Sequence, residues 1–162
     1  MSISYNRLAD IAEKEDNIAG AKRLYTLSLE ISEQLAAEFP SNESRRDLSV
    51  CYNVLAGIAL KEDDIAEAKR LYTLSLKLSE QLAAELPSEK SRRDLSVNYS
   101  LLADIAKKED DIAEAKRLYS LALKIDKQNA EEFPSCQNRR DLSVSYNKLA
   151  YLAIKPKRSR VF

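Results

Sequence analysis

The residues of this sequence with the most obvious binding chemistry are three pairs of adjacent arginines, each followed by an aspartate. The segment SRRDLSV occupies 44–50 and recurs at 91–97, and NRRDLSV follows at 138–144. A guanidinium group is a planar fork of donors that suits a phosphate or a carboxylate. The pairs are therefore either anion-binding groups or structural cations. We expect them to pair with acidic residues of the chain itself.

Other residue types that support catalysis or metal binding are absent or scattered. The sequence has no histidine, which is the commonest general base and zinc ligand. Its two glycines, Gly20 and Gly57, are too far apart to form a phosphate-binding loop. Cys51 and Cys136 lack metal-ligand spacing, and we expect both thiols to be reduced. We therefore predict no catalytic residue, no metal site and no cofactor, and a protein that is not an enzyme.

The composition also restricts the class of partner. The 162 residues include 26 basic and 26 acidic side chains, whose charges cancel. Proteins that bind nucleic acid usually carry a basic excess. No apolar run reaches the roughly 18 residues that suggest a membrane span, and the first residues do not resemble a secretory signal. These features predict a soluble cytoplasmic protein that binds neither nucleic acid nor membranes.

The arginine pairs belong to an internal repeat that covers nearly the whole chain. The pairs begin at 45, 92 and 139, a period of 47. The segment KEDDIAEAKRLY at 61–72 also recurs unchanged at 108–119. We therefore predict one repeat domain over 1–154, with three full repeat units and the first half of a fourth. These units are 1–47, 48–94, 95–141 and 142–154. The remaining segment, 155–162, is basic, and we expect it to be a disordered tail.

Each repeat unit has the apolar spacing of two helices. In the second unit we expect Ser44 to be the N-cap of the first helix, with Asp47 completing a capping box. The equivalent N-caps in the next two units would be Ser91 and Asn138. This first helix should end near Lys61, at the polar KEDD turn.

The second helix of each unit should begin after an aspartate and end before a proline. In the second unit these residues are Asp64 and Pro87. This helix carries apolar side chains on two faces, and an isolated helical hairpin could bury only one of them. Neighbouring units must therefore stack. The sequence predicts an all-α solenoid of about three and a half units and seven helices.

The motif Tyr-x-x-Leu-Ala-x-x-Ala, followed by an alanine and a second tyrosine, resembles the tetratricopeptide repeat. In the second unit the motif residues are Tyr52, Leu55, Ala56, Ala59, Ala68 and Tyr72, and the motif recurs in phase in the units on either side. The period exceeds the family's usual length of about 34 residues. In this it resembles kinesin-light-chain-type repeats and their bacterial relatives. The resemblance implies a right-handed superhelix whose first helices line a concave groove that holds peptides or proteins.

The second and third units differ mainly on one face of the first helix. Asn53, Gly57 and Leu60 are replaced by Ser100, Asp104 and Lys107, and this i, i+4, i+7 spacing places each set on one helix face. The resemblance implies that this face lines the groove, although solvated positions that drift neutrally would give the same pattern. The predicted partner-binding residues are Asn6, Asp10, Lys14, Asn53, Gly57, Leu60, Lys61, Ser100, Asp104, Lys107, Lys108, Asn147 and Tyr151.

The leading functional hypothesis is a module that binds a peptide or a partner protein in this groove. One alternative is a structural scaffold that self-associates through the apolar end Tyr151–Ile154, which would form a homo-oligomer. Another is a fragment of a longer repeat array attached to a signalling protein. The sequence does not identify the partner.

Overall fold

The computed structural model describes residue 14 and residues 17–154, and all regular structure in this part of the chain is helical. The six helices are α1 (Ile18–Glu38), α2 (Asn42–Lys61), α3 (Ile65–Glu85), α4 (Glu89–Lys108), α5 (Ile112–Glu132) and α6 (Cys136–Ile154). The predicted all-α class is thereby confirmed. The additional first helix, together with Asn6 and Asp10, lies outside the described residues, as does the basic tail.

The first helix of each repeat begins about one turn earlier than predicted. The N-cap of α2 is Ser41, whose hydroxyl accepts a hydrogen bond from the backbone N–H of Ser44 at 3.0 Å. In return, the Ser44 hydroxyl accepts from the Ser41 N–H at 2.9 Å. Ser88 and Ser91 form the same reciprocal pair at the start of α4. The prediction that Ser44 and Ser91 are N-caps was therefore wrong, because a serine takes the place in the capping box that usually belongs to glutamate or glutamine.

The prediction for Asn138 was wrong for a related reason. Asn138 lies inside α6, where its backbone N–H donates to the Ser135 hydroxyl at 3.1 Å. Its side-chain amide donates instead to the Phe133 carbonyl at 2.6 Å and to Glu89 Oε1 at 2.8 Å. The side chain is buried, so it ties the start of α6 to the neighbouring helices rather than capping it.

The second helices begin and end where the sequence predicts. The Asp64 carboxylate accepts from the backbone N–H of Glu67 at 3.0 Å, and α3 ends two residues before Pro87. The turn before α3 passes through Asp63, whose φ of 62° lies in the left-handed region. Aspartate tolerates that region better than most side chains, because its short carboxylate can hydrogen-bond locally. Asp110 has a φ of 63° at the equivalent position before α5. The KEDD segment is thus a turn with a defined conformation.

The described helices form two compact units, which we call the N-terminal module (α1–α3) and the C-terminal module (α4–α6). In the N-terminal module α2 packs against both α1 and α3, and in the C-terminal module α5 packs against both α4 and α6. Alanines with no exposed surface, such as Ala56 and Ala68, permit close helix contact. The buried apolar residues shared by the helix pairs are Leu55, Ala56, Ile58, Ala59, Ala68, Leu71 and Tyr72 in α2–α3, and Leu102, Ala103, Ile105, Ala106, Ala115, Leu118 and Tyr119 in α4–α5. The pair α2–α3 also buries Leu48, Cys51 and Leu82, and the pair α4–α5 also buries Ala122.

Two of the repeated arginines connect the two helices of a repeat, and a third connects α4 to α6. A nitrogen of Arg45 lies 2.6 Å from a carboxylate oxygen of Glu85, and Arg92 and Glu132 form the same contact at 2.6 Å. Arg93 pairs with Asp141 at 2.9 Å. For these three arginines, the expected pairing within the chain is confirmed. The hydrogen bond from Arg45 lowers the pKa of Glu85.

None of the helices in the described part of the chain combines the length and the apolar character that crossing a bilayer requires.

Candidate functional site

Three predicted residues of the N-terminal module, Asn53, Gly57 and Leu60, lie on the face of α2 that points away from its buried core. A Cβ added to Gly57 would meet no atom within 4 Å, so the helix faces open space there. Asn53 and Leu60 are half-buried on the same face, and Lys61 is exposed at the end of the helix. The only other predicted residue of this module that the structure describes, Lys14, is exposed. This face of α2 is therefore accessible.

Asn53 is the residue of this face with an unmet hydrogen-bonding requirement. Its side-chain oxygen is buried and has no hydrogen-bond partner among the described residues. A buried acceptor without a donor costs about 1–3 kcal/mol, so most such groups in proteins are satisfied. A donor from outside the chain, such as a peptide N–H, would remove this cost.

The C-terminal module brings four predicted residues together. Asp104 and Lys107 of α4, with Asn147 and Tyr151 of α6, line one open cleft of about 250 Å³. The other lining residues are Tyr119, Val144 and Lys148. Asp104 and Lys107 are three residues apart on α4, and Asn147 and Tyr151 are four apart on α6, so each pair projects from one face of its helix.

Asp104 organises the charges of this cleft. Its two carboxylate oxygens accept hydrogen bonds from the Tyr119 hydroxyl and from Lys148 Nζ, the latter at 2.9 Å. Lys107 Nζ lies 3.7 Å from the same carboxylate. One aspartate thus faces two lysines, which leaves one excess positive charge. Burial, together with the hydrogen bond to Asp104, raises the pKa of Tyr119 well above its usual value, so its hydroxyl stays protonated.

The two lysines also lie against aromatic rings. Lys148 Nζ is 5.2 Å from the centre of the Tyr119 ring, and Lys107 Nζ is 5.5 Å from that of Tyr151. Such contacts stabilise a cation by about 0.5–1 kcal/mol at exposed sites. Tyr119 is buried, whereas Tyr151 is 55% exposed. Tyr151 and the exposed amide of Asn147 therefore offer the most accessible surface of the cleft.

Three lining residues were missed by the sequence analysis. Lys148 occupies the repeat position of Val54 and Leu101, so extending the comparison to the last half-unit would have found it. Val144 ends the third RRDLSV segment and is 52% exposed, although it resembles a core residue in sequence. Tyr119 belongs to the packing motif and also lines the cleft. The pattern assigned it correctly to the core but gave no sign of its contact with Asp104.

Two predicted residues of α4 lie outside this cleft. Ser100 lines a different cleft, beside Val97 and Leu101. Lys108 is exposed at the end of the helix.

The comparisons with known proteins agree with the helix pairs and their motif. Residues 98–129 match the model of the tetratricopeptide repeat family. A crystal structure of BtubC (BKLC) from P. vanneervenii is similar, with a TM-score of 0.64 and 20% identity over 94% of this chain and 57% of that chain. A structure of the yeast histone chaperone Hif1, described as a scaffold protein recruiting protein complexes to core histones, has a TM-score of 0.66 and 14% identity over 85% of this chain and 56% of that chain.

The chain thus spans a little over half the length of each of these two proteins. A search of curated proteins finds no match. The match at residues 98–129 and the shared helical fold confirm that the chain resembles tetratricopeptide-type repeat proteins, as the motif indicated.

Proposed function

We propose that this chain is a protein-interaction module, and that each of its two modules binds an extended segment of a partner protein on the exposed face of its first helices. The observation that carries the proposal is the cleft of the C-terminal module, where Asp104, Lys107, Asn147 and Tyr151 meet. Two of these four residues, Asp104 and Lys107, occupy positions at which the second and third repeats of the chain differ. The tetratricopeptide match at 98–129 supports an interaction role for the same region.

The chemistry of the two modules suits a peptide. The unpartnered Asn53 oxygen can accept a backbone N–H, and the open space at Gly57 leaves room for a close main-chain approach. In the C-terminal module, the exposed Tyr151 ring offers apolar surface and the Asn147 amide can both donate and accept. Aromatic side chains with a polar partner beside them are typical of the central residues of protein interfaces.

The same cleft does not suit general-base catalysis. The Asp104 carboxylate accepts from both Tyr119 and Lys148, so each of its oxygens already accepts a hydrogen bond from the protein. A general base must be able to reach a substrate proton at hydrogen-bonding distance. The proposal therefore assigns Asp104 the role of holding the lysines in position.

The experiment is a selection of peptides from a random 12-residue display library against the wild-type protein, followed by affinity measurements with variants. We expect the double variant Lys107→Ala/Tyr151→Ala to weaken the selected peptides at least tenfold. The matched control is Lys116→Ala, which removes an exposed lysine from α5 outside the cleft, and it should leave the affinity unchanged. Equal affinity of the selected peptides for the double variant and the wild type would contradict the proposal.

A second candidate function is self-association through the end of α6. Tyr151 is 55% exposed and Ile154 is 79% exposed, and they lie on successive turns of that helix. Large exposed apolar side chains that cluster often mark an interface with another chain. Sedimentation velocity over a hundredfold range of protein concentration would test this. A dimer that Ile154→Lys abolishes would favour it, and a concentration-independent monomer would exclude it.

A further inference from the structure

A second cleft of the C-terminal module contains a buried carboxylate that forms no ion pair with any lysine or arginine of the described residues. The cleft has a volume of about 190 Å³ and lies where α4, α5 and α6 meet. Its apolar lining comes from Val97, Leu101 and Val144, and the carboxylate is that of Asp126. Asp126 is only 5% exposed. Val97 and Val144, in contrast, are about half exposed at the rim, so the cleft opens to solvent beside them.

Two neutral hydroxyls hold the Asp126 carboxylate in place. The Ser96 hydroxyl donates to Oδ1 at 2.6 Å, and the Ser145 hydroxyl donates to Oδ2. Among residues 17–154 no lysine or arginine forms an ion pair with Asp126. A buried carboxylate retains an unfavourable desolvation free energy unless a cation compensates it, and hydroxyl donors supply only part of that compensation.

The two cations that line the same cleft are already engaged. Arg93 lies 2.9 Å from Asp141, and Lys148 donates to Asp104 at 2.9 Å. Each of these cations therefore has a carboxylate partner other than Asp126. Of the two acids that line the cleft, Asp141 is paired and Asp126 is not, so a cation is the complementary ligand for the Asp126 carboxylate.

The corresponding position of the N-terminal module shows that the helix pair does not require this charge. Ser79 of α3 stands at the repeat position of Asp126, and its hydroxyl lies 3.4 Å from that of Ser49. Ser49 stands at the repeat position of Ser96. Both helix pairs thus form the same contact between first and second helix, one with a neutral side chain and one with a carboxylate. The packing of the helix pair therefore does not depend on the charge of Asp126.

We propose that this cleft is a subsite for a lysine side chain of the bound partner segment. The methylene stem would pack against Val97, Leu101 and Val144, and the ammonium group would reach Asp126. An unbranched stem with a compact charge at its end matches a narrow apolar opening with a carboxylate inside it. This inference rests on the proposed function, because it specifies the chemistry of one residue of the partner.

The test uses n-butylammonium chloride as a probe of the lysine side chain and n-butanol as its neutral counterpart. Each is titrated into the ¹⁵N-labelled full chain, and the backbone amide shifts are followed by NMR. We expect n-butylammonium to produce saturable shifts within residues 93–101 and 141–148, with n-butanol at least tenfold weaker. Equal effects of the two probes, or no saturable shift with n-butylammonium, would overturn the inference.

Two variants assign the binding to the carboxylate. Asp126→Asn should weaken n-butylammonium at least tenfold, whereas Glu131→Gln, which neutralises an exposed acid on the same helix, should leave it unchanged. Unchanged binding to Asp126→Asn would also overturn the inference.

If that variant fails to fold, Val97→Lys decides the question, because an exposed rim residue tolerates substitution. Its own ammonium should occupy the cleft and abolish probe binding, and full probe binding to this variant would count against the subsite.

The outcomes separate this subsite from the proposed function. Peptides that bind the wild type but not Lys107→Ala/Tyr151→Ala, combined with no binding of n-butylammonium, would remove the subsite and leave the interaction module intact. If n-butylammonium binds but no selected peptide depends on Lys107 and Tyr151, the cation-binding cleft would remain and the proposed interaction module would be excluded.

Discussion

The N-terminal and C-terminal modules have the same helix pair and most of the same apolar core but differ in the polar groups attached to it. Most buried positions of α2, such as Ala56 and Ile58, are identical in α4, whereas buried Cys51 becomes Asn98. On the accessible face Gly57 becomes Asp104, and at the contact between helices Ser79 becomes Asp126. A core that fixes the backbone thus leaves the chemistry of neighbouring positions free to change.

The buried polar contacts show the same contrast. In the N-terminal module they involve neutral hydroxyl and thiol groups, with Ser49 and Ser75 at 2.7 Å and Ser32 and the Cys51 thiol at 3.4 Å. In the C-terminal module the carboxylate of Asp126 stands at the repeat position of Ser32. The burial of a carboxylate has a larger free-energy cost than that of a hydroxyl. The C-terminal module therefore combines a common scaffold with groups that a ligand could satisfy.

The largest expected effect tests whether the two cores are energetically equivalent. Ile58 and Ile105 are 1% and 0% exposed at equivalent positions. Replacing either by alanine should lower the free energy of unfolding by about 2–5 kcal/mol, because the change removes buried apolar atoms and leaves a cavity. Denaturant titration combined with hydrogen exchange, which resolves the two modules, would measure both. A cost confined to one variant would show that the cores are not equivalent.

A smaller effect is expected at Asp104, which has no counterpart in the N-terminal module. Asp104→Ala leaves the hydroxyl of buried Tyr119 without its acceptor, and an unmet buried donor costs about 1–3 kcal/mol. Thermal and denaturant unfolding would measure the loss. Adding Tyr119→Phe to this variant removes the unmet donor and should recover part of the stability. No recovery in the double variant would show that the hydroxyl is not the source of the cost.

The equivalent change at Gly57 should have the opposite sign. Gly57→Ala adds a Cβ that meets no atom within 4 Å, and alanine is favoured over glycine inside a helix by about 0.5–1 kcal/mol. The free energy of unfolding should therefore rise by that amount. A decrease would mean that the space beside Gly57 is needed by the folded chain. Substitutions at Gly57 and Asp104 would then change the free energy of unfolding in the same direction.

The smallest effect concerns the arginines, where the modules should behave alike. Arg45 lowers the pKa of Glu85, and Gln128 and Arg92 lower that of Glu132, from a usual value near 4.5. A carboxyl whose pKa is lower in the folded chain stabilises it above the unfolded pKa, and that contribution is lost as the pH falls through the folded pKa.

Arg45→Met and Arg92→Met should each make the thermal midpoint less sensitive to pH on the acid side of about 4.5. The effect should be small because Glu85 and Glu132 are exposed, and it should shrink in high salt. Melting curves between about pH 7 and pH 3 would measure it. A strong response in only one of the two variants would show that the repeated ion pair has different roles in the two modules.

Much of the fold could be read from the sequence because the repeat gives each signal more than once. The apolar spacing predicted both helices of a repeat, and Asp64 and Pro87 marked the limits of the second one correctly. The first helix was assigned a start three residues too late. Several serines near that start can cap a helix, and only the hydrogen bond between Ser41 and Ser44 identifies the cap.

The candidate site was less predictable. The difference between repeats identified Asp104 and Lys107, because positions that do not pack are free to diverge. Lys148 and Tyr119 were missed, since their part in the cleft depends on the approach of α6 and α5 to α4 and not on any spacing within one helix. Asp126 was missed for the same reason, as a single aspartate on a helix gives no sign that it will be buried.

The sequence by itself determined the helix pair, its period of 47 and the alanines and tyrosines that form its core, because helical periodicity and residue size act locally and repeat along the chain. The tertiary structure decided which polar groups meet. It places Lys148 Nζ within hydrogen-bonding distance of the Asp104 carboxylate. It also buries the Asp126 carboxylate beside two serine hydroxyls, with no ion pair among the described residues. The strength of a charge interaction depends on distance and burial, and both are fixed only when helices distant in sequence pack together.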